Sequence, residues 1–393
     1  MAGRAESLDT RGHINCLDGL RGLAALWVLV GHAMLLSGWL VPLVSRPGLA
    51  VDLFILLSGF LMVFHYELRE QTEPWESPAT WTTFWARRFF RIAPLYYPIL
   101  ALALVAGPWI GDARGDIAAL LHGAQTPPAR YSDSGLDNIL AHVTFVFGQM
   151  PAYAFRTALP DWSIGLEMCF YAVFPFIMLL AKRFTLPLTA LALTVLSIAI
   201  LKLMPAYVAA FEQPAFLPLK LNVFLAGMLI AGARTRANRT CLFMIGLAIL
   251  LSMGPIRTEA IDHATRAVLA AGFAFLVHGP RFAPVKDISI RVDDFLGRVF
   301  FRRLGDLSYG VYLIHLLVLI PAVALFANTG LRALPLFLAA TALTIAIAYP
   351  AAWMGYRFVE QPGIALGKSL LRRRRPAPRK PVLAPVDLGN PSD

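Results

Sequence analysis

Charged side chains are scarce in this chain: Asp, Glu, Lys and Arg make up 15% of its 393 residues, against about 25% in soluble domains. With 58% hydrophobic residues and a mean hydropathy of +0.63, a soluble core is excluded. Cysteine is nearly absent. Cys16, Cys169 and Cys241 stand at unrelated spacings, which excludes a disulfide framework or a zinc cluster, and no metal is expected. A cleaved leader is not expected either, because the residues before Leu17 are polar and mixed in charge and no small-residue cleavage site follows. No internal repeat is visible, which weighs against an inverted-repeat transporter.

What is present is a series of long apolar runs. A window of about 19 residues picks out ten, near 19–38, 48–66, 92–110, 162–181, 185–203, 217–233, 240–254, 265–280, 306–327 and 334–354, with 139–150 as a further, reentrant piece. The expected fold class is all-α, a polytopic membrane protein with about ten transmembrane helices. Its expected parts are a cytoplasmic tail (1–13), a transmembrane domain (14–364) and a basic, Pro-rich disordered tail (365–393). If the N-terminus is inside, 25 of the 35 Lys and Arg residues fall in inward segments and nine in or near outward ones. The positive-inside rule then places both termini in the cytoplasm, as an even span count requires. The expected location is the inner (plasma) membrane. The net charge of +11 needs no nucleic acid, because inward loops and the run from Arg372 to Lys380 would meet anionic headgroups of the lipid bilayer.

Within the runs, ionisable residues are few and therefore informative, since the bilayer makes each of them costly. Arg21 and His32 lie eleven residues apart on the first run, on one helical face with a rise of about 16 Å, roughly half the hydrocarbon thickness. Arg87, Arg88 and Arg91 crowd at the inner mouth of the third run, with Arg88 and Arg91 at i, i+3. Arginines converging beside a helix that leads to a histidine suit a long polyanionic ligand with its reactive end deep in the membrane. Ser163 and Glu167 are one turn apart at the outer end of the fourth run. Glu167 should have a partner there: His32, an arginine or a substrate hydroxyl. Asp52 opens the second run in a similar position, and Ser58, Gly59 and Phe60 form a small-residue notch for a helix or a ligand. Ser308, Tyr309, Tyr312 and His315 draw a polar stripe into the ninth run, read as positioning rather than chemistry. His13, His65, His122, His142, His263 and His278 fall near span ends or in loops, where solvated histidines are expected. The acidic and aromatic residues between Gly111 and Pro160 are weaker candidates for contacts to a sugar.

In this order the residues resemble the acyltransferase 3 family of integral membrane acyltransferases. The matching motifs are Arg21 with His32, the Gly48 to Phe54 and Ser58 to Phe60 block, Arg88 with Arg91, Trp162 and Ser163 with Glu167, Phe170 and Tyr171, the Ser308 to His315 block, and Glu360 with Pro362. They run in sequence from about residue 14 to 364. The resemblance implies transfer of an acyl group, usually acetyl from acetyl-CoA on the cytoplasmic side, to a hydroxyl of a glycan or other acceptor at the outer face. Arg88 and Arg91, with Arg21, would hold the CoA phosphates. His32 would act as general base or, second, as an acyl-carrying nucleophile. Glu167 or Asp52 would orient the imidazole or the acceptor, and Ser58, Trp162, Ser163, Tyr309, Tyr312 and His315 would line the substrate site. Lys220 and Asn222 depart from the arginine-rich pattern expected in the sixth run. No appended hydrolase-like domain is expected, so a partner enzyme on the outer side would be a separate protein. A second class of function is a proton-coupled exporter of polysaccharide or small molecules, with the intramembrane His and Glu as a relay.

Overall fold

A segment in hydrocarbon must satisfy its backbone polar groups internally, so apolar runs of this length fold as helices. The computed structural model describes residues 15–123, 126–254 and 259–373, and among these there is no strand. Ten apolar helices stand at the ten expected runs: α1 (Asn15–Ser37), α2 (Pro47–Arg69), α3 (Pro78–Leu120), α4 (Trp162–Phe184), α5 (Leu186–Leu203), α6 (Leu217–Gly232), α7 (Asn238–Met253), α8 (Ala260–His278), α9 (Val299–Asn328) and α10 (Ala333–Gly355). Among the described residues nine helices are long and apolar enough to cross a membrane, and α7 is the short one. Its 16 residues rise about 24 Å, less than the roughly 30 Å of hydrocarbon.

Three boundaries differ from the sequence reading. Helix α3 runs for 43 residues through Pro94, Pro98 and Pro108, about 64 Å, so it projects well beyond the apolar layer. The stretch 139–150 is no reentrant helix. It divides into a helix of eight residues (Leu136–Val143) and a 3-10 turn (Val146–Gln149), parted by Phe145 at φ +63°, a left-handed conformation that ends a helix. Beyond α10 a π-turn (Tyr356–Glu360) leads into α11 (Gln361–Arg373), so helix continues past residue 364. Residues 374–393 of the expected tail lie outside the described residues, as does His13.

Helices α1, α2, α6 and α9 form the centre. α1 packs along α9 and α2 along α6, while α5, α7 and α8 turn Leu188, Val195, Phe243, Leu250 and Val268 outward. Glycine permits both central contacts. A Cβ on Gly59 would stand 2.1 Å from the Phe224 carbonyl oxygen, and one on Gly227 2.0 Å from that of Leu56. The notch at Gly59 therefore receives a helix. Between α1 and α9, a Cβ on Gly305 would stand 2.1 Å from the Asp18 carbonyl oxygen, and one on Gly22 2.7 Å from the Gly305 nitrogen.

Gly227→Ala should lower the melting temperature in detergent by the equivalent of about 1–3 kcal/mol of overpacking. Gly246→Ala, whose Cβ meets nothing within 4 Å, should be neutral or slightly stabilising, because alanine is the better helix former. Equal melting temperatures for the two variants would contradict the packing described.

Candidate active site

Six helices supply one cavity of about 110 Å³, several times the room an ordered water needs. Helix α4 contributes Ser163, Glu167 and Tyr171, whose i, i+4, i+8 spacing draws one stripe down its face. Helix α2 brings Ser58, α9 brings Ser308, Tyr309 and Tyr312, and Arg21 of α1 joins Arg88 and Arg91 of α3. The i, i+3 spacing turns both α3 arginines inward. Arg87, next to Arg88, faces away and is paired with Glu73 at 2.6 Å.

Inside the cavity the charges are unevenly satisfied. Glu167 Oε1 accepts hydrogen bonds from the Ser58 hydroxyl at 2.5 Å and from the Tyr171 hydroxyl. Its expected partner thus proves to be a pair of protein hydroxyls and not His32. Arg91 forms an ion pair with the buried Glu360 at 3.2 Å. Among the described residues neither Arg21 nor Arg88 has an ion pair. Arg88 lies 5.4 Å from the Tyr171 ring centroid and 5.7 Å from that of Phe84, and both arginines feel the Glu167 carboxylate. Two half-buried guanidiniums with no ion pair among the described residues, beside a solvent-sized space, are a ready site for an anion.

His32 is absent from the lining of that cavity. Its Nδ1 is 3.1 Å from Nε2 of His315, and the ring centroids are 5.1 Å apart. His315 Nδ1 in turn donates to the Tyr312 carbonyl at 2.7 Å. Tyr312 stands between the two places. It lines the cavity, and its ring centroid is 6.1 Å from that of His315. Its hydroxyl donates to the Pro160 carbonyl at 2.5 Å and receives the Ser163 hydroxyl at 2.7 Å. The cavity that holds Arg21 therefore adjoins the histidine pair through Tyr312, and His32 itself is not among its lining residues.

Asp52, a sequence candidate for the site, is elsewhere. It is buried between Lys220 at 2.5 Å and Arg266 at 2.6 Å, a buried ionic cluster that also accounts for the unexpected Lys220. Trp162 is buried and does not line the cavity. His142 and His278, read as solvated, are each 1% exposed. His142 stacks on Phe147 at 4.2 Å, and His278 faces the Ile230 carbonyl at 2.9 Å and the Cys241 thiol at 3.7 Å. Of the weaker outer candidates, Tyr131 is buried and Asp137 accepts from Tyr153 at 2.7 Å, so these residues hold their own segment together.

Sequence reasoning gave no role to Tyr171, although its place one turn after Glu167 was a signal. It also passed over Asp161. That carboxylate is buried before α4 and accepts from the hydroxyls of Tyr96 at 2.9 Å and Thr157 at 3.1 Å, with His142 Nε2 at 3.7 Å. Burial holds it above the usual carboxylate range. This cluster anchors the start of α4 and hence the stripe of Ser163 and Glu167.

Comparison with known proteins gives a consistent picture. The family model described as an acyltransferase domain matches residues 14–353. The chain is 31% identical over 322 residues to a protein of Komagataeibacter xylinus named as a membrane-bound transacylase, BcsY, covering 76% of this chain and 71% of that one. It is 26% identical over 289 residues to the exopolysaccharide production protein ExoZ of Rhizobium meliloti, covering 72% and 78%. Similarity to the acyltransferase MdmB of Streptomyces mycarofaciens is 28% identity over 171 residues, 40% of this chain and 38% of that one. No solved structure matches.

Asp52→Asn leaves Lys220 and Arg266 buried without a counter-charge, which should cost about 3–5 kcal/mol. The expected outcome is a lower yield and melting temperature, with unchanged affinity for anionic ligands in the folded fraction. A variant of normal stability and weakened ligand binding would return Asp52 to the site.

Proposed function

The chain belongs to the acyltransferase family, and we propose that it transfers an acyl group, acetyl first among them, from a coenzyme A thioester to a hydroxyl of a glycan or other acceptor. The observation that carries this reading is the convergence of Arg21, Arg88 and Arg91 in one cavity that ends at Tyr312, the neighbour of the histidine pair. The arginines bind the CoA phosphates, and the pantetheine arm extends past Glu167 toward Ser163 and Tyr312. The concentration of Lys and Arg in alternate loops supports placing the arginine mouth, and so the donor, on the cytoplasmic side of the inner membrane. The name of ExoZ, an exopolysaccharide production protein, supports a glycan as acceptor.

In the transfer step the acceptor hydroxyl gives its proton to His32 while its oxygen bonds to the thioester carbonyl carbon. The carbon–sulfur bond breaks, and the departing CoA thiolate takes the proton back from the imidazolium. Glu167 uses Oε1 for Ser58 and Tyr171, so its Oε2 serves to orient an acceptor hydroxyl or a pantetheine amide. It also offsets part of the positive charge of Arg21 and Arg88.

Two variants separate binding from chemistry, assayed in membranes with labelled acetyl-CoA. Arg88→Ala should raise KM for acetyl-CoA by about 10- to 100-fold, the loss of a charge-assisted contact of roughly 1.5–3 kcal/mol, with a smaller change in kcat. His32→Ala should lower kcat by about 10²- to 10⁴-fold with KM unchanged. A His32→Ala protein present at normal levels that retains full incorporation would sink the assignment.

A further inference from the structure

A ring nitrogen facing a backbone carbonyl must carry the proton, because a carbonyl oxygen can only accept. His315 Nδ1 faces the carbonyls of Tyr312 at 2.7 Å and Val311 at 3.2 Å. Neutral His315 therefore keeps its proton on Nδ1 and presents a lone pair on Nε2. That lone pair is 3.1 Å from His32 Nδ1, so His32 Nδ1 is the donor.

We infer that His315 is a positioning residue that sets the tautomer of His32. With Nδ1 holding the proton and Nε2 of His315 accepting it, the basic lone pair of His32 is on Nε2. The partner that usually orients a catalytic or metal-bound histidine through its second nitrogen is a carboxylate or a carbonyl. Here a neutral imidazole does so, itself oriented by the carbonyl of Tyr312. The inference rests on the general-base reading. In that step Nε2 of His32 takes the hydroxyl proton and returns it to the thiolate sulfur, and His315 exchanges none.

The test compares His315→Gln with His315→Leu in membranes supplied with labelled acetyl-CoA, reading acetyl transferred to envelope glycans. A glutamine Oε1 reaches the position of Nε2 and accepts from His32, whereas leucine fills the space and accepts nothing. His315→Leu should lower kcat by about 10²-fold or more, as expected for a base held in the wrong tautomer. KM for acetyl-CoA should stay within about two-fold in both variants, because no arginine contact changes. His315→Gln should keep kcat within about ten-fold of the parent. Should the leucine variant fail to accumulate, His315→Phe supplies a second shape that does not accept. Equal kcat for the glutamine variant and a non-accepting variant, both at normal levels, would overturn the tautomer assignment. His32→Ala separates the two ideas. If it is inactive while the His315 variants behave alike, only the tautomer assignment falls, and if it is fully active the general-base reading falls first.

Discussion

The parallel contact of α1 with α9 holds one register along its length, and the site depends on it. Near one end Gly22 meets Gly305, and near the other His32 meets His315. The offset between the chains is 283 residues at the histidines, and the glycines keep the same offset. Ten residues, about 15 Å of helix, therefore pass without slippage between the two contacts. A Cβ at Gly22 or Gly305 would force the backbones apart where they are closest. Because packed helices shift as rigid bodies, the displacement would be carried to the histidine pair, where a hydrogen bond tolerates only a few tenths of an ångström.

Two kinds of buried charge occupy this bundle. Asp52 is enclosed by Lys220 and Arg266, and Arg266 also donates to the Met253 carbonyl at 3.3 Å. In the cavity cations again outnumber carboxylates, but the pairing differs. Glu167 is tied to two hydroxyls and Arg91 to Glu360, while among the described residues Arg21 and Arg88 are left without ion pairs. Charges that cost several kcal/mol to bury are left in this condition only where space adjoins them. Packing thus distinguishes a structural ion cluster from a binding site although the residue types are the same.

Hydropathy alone located all ten apolar helices, because each had to satisfy its own backbone. It misjudged α3, whose arginines and prolines interrupt the window without interrupting the helix. Spacing along one helix was also legible: Arg88 with Arg91, and Ser163 with Glu167, do face one cavity. What could not be read was pairing across helices. Nothing near Asp52 announces Lys220 or Arg266, which are 168 and 214 residues away. His142 and His278 looked like loop histidines because burial by distant segments leaves no local mark. Helical spacing related Arg21 to His32 but could not show that His32 is paired with His315 of α9 while Arg21 lines the cavity.

Tyr312 connects parts of the molecule that are separate in sequence. Its hydroxyl is fixed by the Pro160 carbonyl and by Ser163, both at the start of α4, which the buried Asp161 cluster anchors. Its main-chain carbonyl holds the Nδ1 proton of His315. The residue therefore ends the arginine cavity with its ring and orients the histidine pair with its backbone. A tyrosine suits both tasks because its rigid ring spans the gap and its hydroxyl finds a partner when buried. Phenylalanine would preserve the backbone contact and lose the anchor to α4, so the two tasks are separable in chemistry though joined in one residue.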